Sequence, residues 1–462
     1  KQKVDRDSEE NMIIIPNPIG LGTFFFLIAN FWIITERRLS VMETVDQVPK
    51  RPMVFYQMST TNQSFLNMHY ILKSLGVKNN RFMLALLDPD LAGVSPFDPN
   101  LNQMMKRKIF VEVMNNYWYF LREVVRVPSP GIPGGVPYQL HRGNLALNFC
   151  MMYNFNIFLE LPRQQGKTMS AICRYLWIYN FGTTDSEITF LNKKMDDSKL
   201  NLQRLKDIRD LLPSYLRMDQ AYSFNNKKIK APSTVESVKN PSNRNIIRTA
   251  PSARSAILAT NLLRGRTLPV LWGDEWAFIP YNEDIYLGAV PAYKTASLNA
   301  KRMGKPYGIL ITTTPGILTT NEGIAANRMR MNATPFGEIW YDMSYDEIMS
   351  VLNANEMSNF IYIKYTYQQI GRDEKWFTDI CKDLECVSRL VHPPVDIKPI
   401  KIFNRTYMLN IYDNTIPLRA DYTPKYPPII GVDVSGGYNR DASAITIIDS
   451  RTTRVIADFK NN

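Results

Sequence analysis

Residues 156–168 read NIFLELPRQQGKT, and the remainder of the chain becomes legible around them. Ile157 to Leu161 are five mostly apolar residues suited to a buried strand, and Pro162 ends it. Gln164, Gln165, Gly166, Lys167 and Thr168 then lead into MSAICRYLWIYN, where Met169, Ile172, Cys173 and Leu176 fall at helical spacing. A strand, a short loop ending in Gly-Lys-Thr and a helix make a phosphate-binding P-loop. The helix's unpaired N–H groups and its dipole face the phosphates. Lys167 would reach the β- and γ-phosphates of a nucleotide, and Thr168 would supply a hydroxyl to Mg²⁺. The pattern G-x-x-x-x-G-K-[ST] lacks its first glycine here, because Leu161 stands in that place. The competing reading is an ordinary strand-to-helix turn with an exposed lysine.

At 462 residues there is room for two or three domains, and 45% apolar with 21% charged residues is the balance of a chain that buries a core. A formal net charge of +12 favours a polyanionic partner or a negative membrane surface, with a solvated basic face as the alternative. Cys150, Cys173, Cys381 and Cys386 form no C-x-x-C pair, and His69, His141 and His392 are far apart. There is therefore no zinc spacing and no demand for an oxidising compartment. The most apolar segment, Thr23 to Ile34, is too short to span a bilayer and reads as a buried helix or an interaction arm.

Residues 1–52 form an N-terminal arm. Lys106 to Val127 has one apolar stripe, Ile109, Val113, Tyr117, Leu121 and Val124, and reads as a helix packed on the core. Pro128 to Pro137 reads as a rigid loop. Tyr138 and Gln139 follow, then a helical stretch, HRGNLALNFCMMYNF, that leads into the P-loop strand. A carboxamide carries a donor and an acceptor side by side, so Gln139 could pair with an adenine edge; a plain surface glutamine is the alternative.

Glu187 to Leu191 reads as a second buried strand and Asp196 to Leu212 as an amphipathic helix. This alternation of strand and helix predicts a parallel sheet with helices on both faces. Residues 217–255 are polar and basic and suggest a hairpin or loop. Leu268 to Gly273 is a strand that runs into Asp274 and Glu275, as a Walker B element does. Asp274 would hold Mg²⁺ through water, and Glu275 would act on the attacking water as general base. Tyr307 to Ile311 is a further strand, and Thr312, Thr313 and Thr314 at its end could sense the γ-phosphate. Residues 322–412 read as mostly helical. Leu418 to Pro428 is a proline-bearing linker. Ile429 to Val434 and Ala444 to Ile448 are two strands around a Gly-Gly turn, with Asp433 in the first and Asp441 at the entry to the second.

Taken together these segments resemble the large subunit of bacteriophage terminases, the ATPase-nuclease of viral DNA packaging motors. The resemblance runs from about Tyr138 to Asp449, in the family's order of motifs. LPRQQGKT resembles its deviant Walker A, in which the first glycine is commonly lost and an arginine stands early in the loop. LLRGRTLPVLWGDEWAFIP resembles the approach to Walker B, ITTTPG the coupling motif, and IIGVDVSGGYNRDASAITIID the opening of the nuclease domain.

The resemblance implies an α/β fold: a P-loop NTPase of the ASCE type, a parallel sheet with flanking helices, followed by the start of a ribonuclease-H-like domain. The expected organisation is an N-terminal arm and helical region at 1–127, an ATPase core at 128–340 and a helical lid at 341–417. The linker at 418–428 and a first nuclease hairpin at 429–462 would follow. ATP would bind at Gln139, Arg163, Gln164, Gln165, Gly166, Lys167 and Thr168, with Mg²⁺ at Thr168 and Asp274. Glu275 would be catalytic, and Arg163 would also stabilise the transition state, with a neighbouring subunit's Arg264 or Arg266 as the rival. Thr312, Thr313 and Thr314 would couple hydrolysis to movement.

Asp433 and Asp441 would begin a nuclease site for Mg²⁺ or Mn²⁺. Only one hairpin of that domain is expected in these residues, with no third strand and so no DNA cleavage. The partners implied are double-stranded DNA, a portal and procapsid, a small terminase subunit and further copies in a ring, in the host cytoplasm, transiently on the procapsid and without a membrane. A P-loop helicase unconnected with packaging, and a DNA-binding structural subunit with a vestigial nucleotide site, are the alternatives.

Overall fold

A computed structural model describes residues 54–162, 164–218, 220–222, 228–230, 233–264, 266–314, 320–373 and 375–376, and five strands beyond them. The chain divides into two compact units, Lys1–Asp373 and Glu374–Asn462.

The first unit is built on an eight-stranded sheet. Its strands are β1 (Asn156–Glu160), β2 (Glu187–Leu191), β3 (Ser237–Lys239), β4 (Ile246–Ala250), β5 (Val270–Asp274), β6 (Gly308–Thr313), β7 (Thr334–Pro335) and β8 (Phe360–Lys364). The order across the sheet is β7-β8-β1-β6-β5-β2-β4-β3, and only the β4–β3 pair is antiparallel. The mixed α/β architecture is consistent with a P-loop ATPase-like fold. β6 lies between β1, which precedes Lys167, and β5, which ends in Asp274.

Alternation along each strand divides the apolar residues between two cores. Ile157, Leu159, Phe190, Trp272, Leu310, Ile361 and Ile363 point into one, and Phe158, Leu191, Leu271, Ile309, Ile311 and Phe360 into the other. Buried on both faces, these strands read as continuous apolar runs. The first core is closed by helices α1 (Gln63–Ser74), α2 (Gln103–Asn115), α3 (Arg142–Met152), α4 (Lys167–Trp177) and α5 (Met195–Asp210). The second is closed by α6 (Ala256–Asn261), α7 (Asn282–Arg302) and α8 (Asn321–Asn332). Helix α9 (Tyr345–Asn353) returns to the first core through Ile348 and Leu352.

Several expectations are corrected. The helix read over 106–127 stops at Asn115. Asn116 leaves the helical region at φ −132°, and its side chain takes over the next turn by accepting from the Tyr119 N–H at 3.1 Å. The apolar stripe survives because a short π-turn, Phe120–Val124, carries Leu121 and Val124 back into the core. Pro128 to Pro137 is a hairpin, Arg126–Ser129 against Ile132–Pro137. Proline restrains its predecessor to extended backbone, which a two-stranded ribbon accepts, and Gly131 turns the chain at φ 76°.

The stretch 54–127 belongs to the ATPase-like unit. The Trp177 indole N–H donates to the Val113 carbonyl at 2.8 Å, and Tyr117 donates to Asn148 at 2.8 Å. Within 341–417 α9 is a regular helix, but Phe360–Lys364 is the strand beside the P-loop strand. FIYIK is β-branched and aromatic, and the sheet supplies the long-range partner that a local reading lacks. The basic stretch 217–255 supplies β3 and β4 to the sheet as well as a hairpin, Gln220–Tyr222 with Lys228–Lys230.

The second unit is a five-stranded antiparallel sheet: β9 (Asp396–Ile402), β10 (Arg405–Ile411), β11 (Ile429–Asp433), β12 (Ser443–Ile448) and β13 (Val455–Asn461), ordered β9-β10-β13-β12-β11. The expected hairpin is β11–β12, but a third strand, β13, continues it and joins it to β9 and β10. Asp433 ends β11 opposite Ala444. Asp441 lies outside the described residues.

The packing of α6 on α7 depends on Gly288. A Cβ there would stand 2.3 Å from the Thr260 carbonyl oxygen, which is backbone and cannot swing aside. Gly288→Ala is therefore expected to cost about 1–3 kcal/mol despite the better helix propensity of alanine. A thermal melt with a midpoint equal to or above the wild type would contradict this packing.

Candidate nucleotide site

The loop between β1 and α4 bends through two left-handed residues, Gln164 at φ 61° and Gly166 at φ 67°. Gly166 is required by its torsion rather than by crowding, since no atom lies within 4 Å of a Cβ built there. It caps α4, whose first two residues are Lys167 and Thr168. In a parallel sheet the loops at the carboxyl ends of neighbouring strands share one edge. β5 ends at that edge in Asp274, and β6 ends there in the threonines.

The Lys167 ammonium lies 3.2 Å from Glu275 Oε1, with its side chain only 7% exposed. Thr168 Oγ1 donates to Asp274 Oδ2 at 3.4 Å, and Asn201 Nδ2, from α5, donates to the same oxygen at 3.0 Å. The other oxygen, Oδ1, accepts from Thr312 Oγ1 at 2.7 Å and from the Glu275 N–H at 3.1 Å. Trp272 Nε1 donates to Thr312 Oγ1 at 2.9 Å, which directs the hydroxyl proton toward Asp274. Thr314 Oγ1 donates to Glu275 Oε2 at 3.3 Å, while Thr313 Oγ1 donates to the Thr314 carbonyl and accepts from the Ala277 N–H.

The two carboxyls are driven in opposite directions. Burial raises Asp274 above the ordinary aspartate value, with the Glu275 charge adding to the effect, although Lys167 and the bonds from Thr312 and Asn201 favour its ionised form. Burial also acts upward on Glu275, but the Lys167 ammonium and the bonds from Lys167 and Thr314 outweigh it and hold the carboxyl below its ordinary value. The Thr168 hydroxyl and the Asp274 carboxylate are hard oxygen donors of the kind Mg²⁺ shares with phosphate oxygens. Among the described residues no group of three or more His, Cys, Asp or Glu is arranged for a metal.

The structure thus brings Lys167, Thr168, Asp274, Glu275, Thr312 and Thr314 together. Gln164 is exposed and Gln165 buried in the same loop. Gln139 is exposed, and its carboxamide donates to the Pro137 carbonyl at 3.0 Å. Arg163 lies outside the described residues. Arg264 bonds Asn261, and Arg266 faces Glu187 at 3.8 Å in a cleft of about 590 Å³ at the opposite strand ends from the P-loop. Arg266 therefore lies away from the P-loop of its own chain.

Asn201, Trp272, His141 and Ser170 escaped the sequence reading. Trp272 and Ser170 sat inside segments correctly read as strand and helix, where nothing marks an apolar or small residue as a hydrogen-bond partner. Asn201 lies among the leucines of α5, with no local signal.

No protein-family model and no curated protein matches the chain. Among solved structures, it is similar to the Thermus phage P74-26 large terminase ATPase domain at 16% identity, covering 55% of this chain and 95% of that one, with a TM-score of 0.35. It is also similar to the large terminase of a thermophilic bacteriophage at 10% identity, covering 70% of this chain and 68% of that one, with a TM-score of 0.33. No described helix is long and apolar enough to cross a membrane.

Removing the Lys167 ammonium would leave a buried and a half-buried carboxyl, Asp274 and Glu275, without their cation. In the wild type the depressed Glu275 contributes stability at neutral pH that is lost as pH falls through its lowered pKa. In Lys167→Met that contribution is gone, and both carboxyls are raised, so their ionised forms cost stability at neutral pH and the cost fades in acid. The melting-temperature gap between wild type and Lys167→Met should be widest near pH ~7 and narrow toward pH ~4. A gap independent of pH would show that the ammonium does not compensate these carboxylates.

Proposed function

We propose that this chain is an ATPase that uses Mg²⁺, and that it is the motor subunit of a terminase that moves double-stranded DNA into a procapsid. The ATPase reading is carried by one observation: Lys167 and Thr168, at the head of the P-loop helix, face Glu275 and Asp274 at 3.2 and 3.4 Å across the edge of the sheet. The motor reading is supported by the order of motifs along the sequence.

In this reading Lys167 exchanges Glu275 for phosphate oxygens, which it binds as a point charge. Glu275, ionised at neutral pH, is then free to accept a proton from water. Losing its ammonium partner makes it a stronger base at that moment. Thr314 keeps the carboxylate in place, and Asn201 and Thr312 orient Asp274 toward Thr168. Bound Mg²⁺ would neutralise phosphate charge and polarise the bond that breaks. Since Thr312 touches Asp274 and Thr314 touches Glu275, a change at the phosphate reaches β6 directly.

The same reading extends to partners and to the second unit. A ring of copies on a portal, a small terminase subunit that delivers DNA, and a host-cytoplasmic location belong to it. So does a nuclease that holds Mg²⁺ or Mn²⁺ at Asp433 and Asp441. Arg163, or Arg264 or Arg266 from a neighbouring copy, would stabilise transition-state charge.

Purified wild type and two variants test the site. Lys167→Ala should lose both hydrolysis and most nucleotide affinity. Glu275→Gln keeps the shape without the basicity; it should bind ATP normally and turn it over about a hundredfold more slowly, or less. Wild-type turnover in folded Lys167→Ala would remove the P-loop assignment, and wild-type turnover in folded Glu275→Gln would remove Glu275 as the general base.

The motor reading has its own measurement. Binding to unrelated duplexes should be of similar strength and should weaken about tenfold or more between ~50 and ~200 mM salt, as phosphate counterions are released. A salt-insensitive isotherm, or discrimination among duplexes, would count against it.

A further inference from the structure

The P-loop is held by a residue outside it. His141 is the cap of α3, and its Nδ1 accepts from the Gly143 and Asn144 N–H groups at 3.1 and 3.4 Å. Both donors are backbone amides, so Nδ1 carries the lone pair. The opposite ring nitrogen, Nε2, stands 2.9 Å from the carbonyl oxygen of Gln165, which can only accept. The contacts therefore select one neutral tautomer, with the proton on Nε2. Burial, followed by the nearby Arg372 charge, works against the imidazolium and pushes its pKa down to about 4, offset in part by the bond to Gln165, so this tautomer persists at neutral pH.

The backbone that carries the ring is itself fixed. The Asn144 side chain accepts from the His141 N–H at 2.7 Å and donates to the Gln139 carbonyl at 2.8 Å. Gly143 leaves room for the packing: a Cβ there would stand 3.2 Å from the Leu161 methyls and 3.3 Å from the imidazole edge.

We propose that His141 is a positioning residue for nucleotide binding, a latch that aims the Gly166 amide into the P-loop by holding the Gln165 carbonyl from outside. This rests on the nucleotide reading of the loop. The peptide between Gln165 and Gly166 is planar, and its carbonyl and its N–H point to opposite sides. Drawing the carbonyl toward His141 turns the N–H away from His141, toward the hollow that α4 and its dipole face. Tyr138 acts alongside: its hydroxyl bonds Ser170 Oγ at 2.7 Å, and Ser170 Oγ donates to the Gly166 carbonyl at 2.9 Å. Two successive loop carbonyls are thus anchored by one segment of seven residues or fewer, between Tyr138 and Asn144.

The test separates latch from cap. Asparagine reproduces Nδ1 and is a strong helix cap, but cannot reach the Gln165 carbonyl. Glutamine reproduces Nε2 and can reach it. In the full chain, titrated with a fluorescent ATP analogue, His141→Asn should melt near the wild type yet bind about three- to tenfold more weakly, the loss of one hydrogen bond. His141→Gln should recover part of that affinity. Inorganic tripolyphosphate, used as competitor, should weaken by the same factor, because the latch acts on the phosphate end.

If His141→Asn binds as the wild type does while Lys167→Ala binds poorly, the latch is refuted and the P-loop stands. If Lys167→Ala also binds as the wild type does, the nucleotide reading falls and the latch with it. Nitrogen-15 histidine spectra of the wild type at neutral pH give a check independent of any variant's folding. His141 should show the Nε2–H tautomer, and an imidazolium or the Nδ1–H form would overturn the proposal.

Discussion

A lysine ammonium withdrawn from water needs an anion beside it, and the centre of this protein is organised by that requirement. Lys167 sits at the head of a helix whose dipole already repels its charge, with its side chain almost wholly covered. Glu275 compensates it directly and Asp274 at slightly longer range. Those carboxylates then need donors of their own. Thr168, Asn201 and Thr312 satisfy Asp274, Thr314 satisfies Glu275, and Trp272 orients Thr312. Thr168 arrives from α4, Asn201 from α5, Trp272 from β5, and Thr312 and Thr314 from the end of β6, so these four elements are tied at one point by charge rather than by apolar packing alone.

That arrangement has a chemical consequence. Neighbouring carboxyls in one site are pushed apart in acidity because only one lies against the ammonium. Glu275 has the cation within bonding distance and stays ionised, whereas Asp274 carries more of the burial penalty. Phosphate that competes for Lys167 would reverse the advantage and leave Glu275 the more basic group. The hydrogen bonds from Thr168, Asn201, Thr312 and Thr314 hold the acidic residues in place independently of Lys167.

The region before the P-loop buttresses it. Tyr117 donates to Asn148, Asn148 to Tyr138, Tyr138 bonds Ser170, and Ser170 donates to the Gly166 carbonyl. Arg122 is fully buried and pairs with Glu123, and it donates to the Met83 carbonyl and to Gln57, so the same region is itself held by buried polar contacts. In the strand-to-helix loop Gln164, a non-glycine residue, is held in the left-handed region at φ 61°, which is strained backbone. Support from two sides, the acidic strand and this buttress, lets the strain persist.

The sequence by itself determined the central parallel strands β1, β2, β5 and β6 and the charged pairs. Glu187–Leu191 was read to the residue, and the strands before Lys167 and Asp274 within two residues at either end, because a strand buried on both faces is a continuous apolar run bounded by polar turns. Gly-Lys-Thr and Asp-Glu were legible for the same reason: they interrupt apolar runs at strand ends. Tertiary structure alone decided that Phe360–Lys364 lies beside the P-loop strand, that β13 extends the second sheet, and that Asn116 breaks a helix whose stripe runs on unbroken. Those choices depend on strand partners outside the local segment or on a single carboxamide's bond, and local periodicity contains neither. His141 and Asn201 show the same limit at the site. A side chain that works by bonding a distant carbonyl or carboxylate leaves no pattern around itself, and only the folded chain shows what it touches.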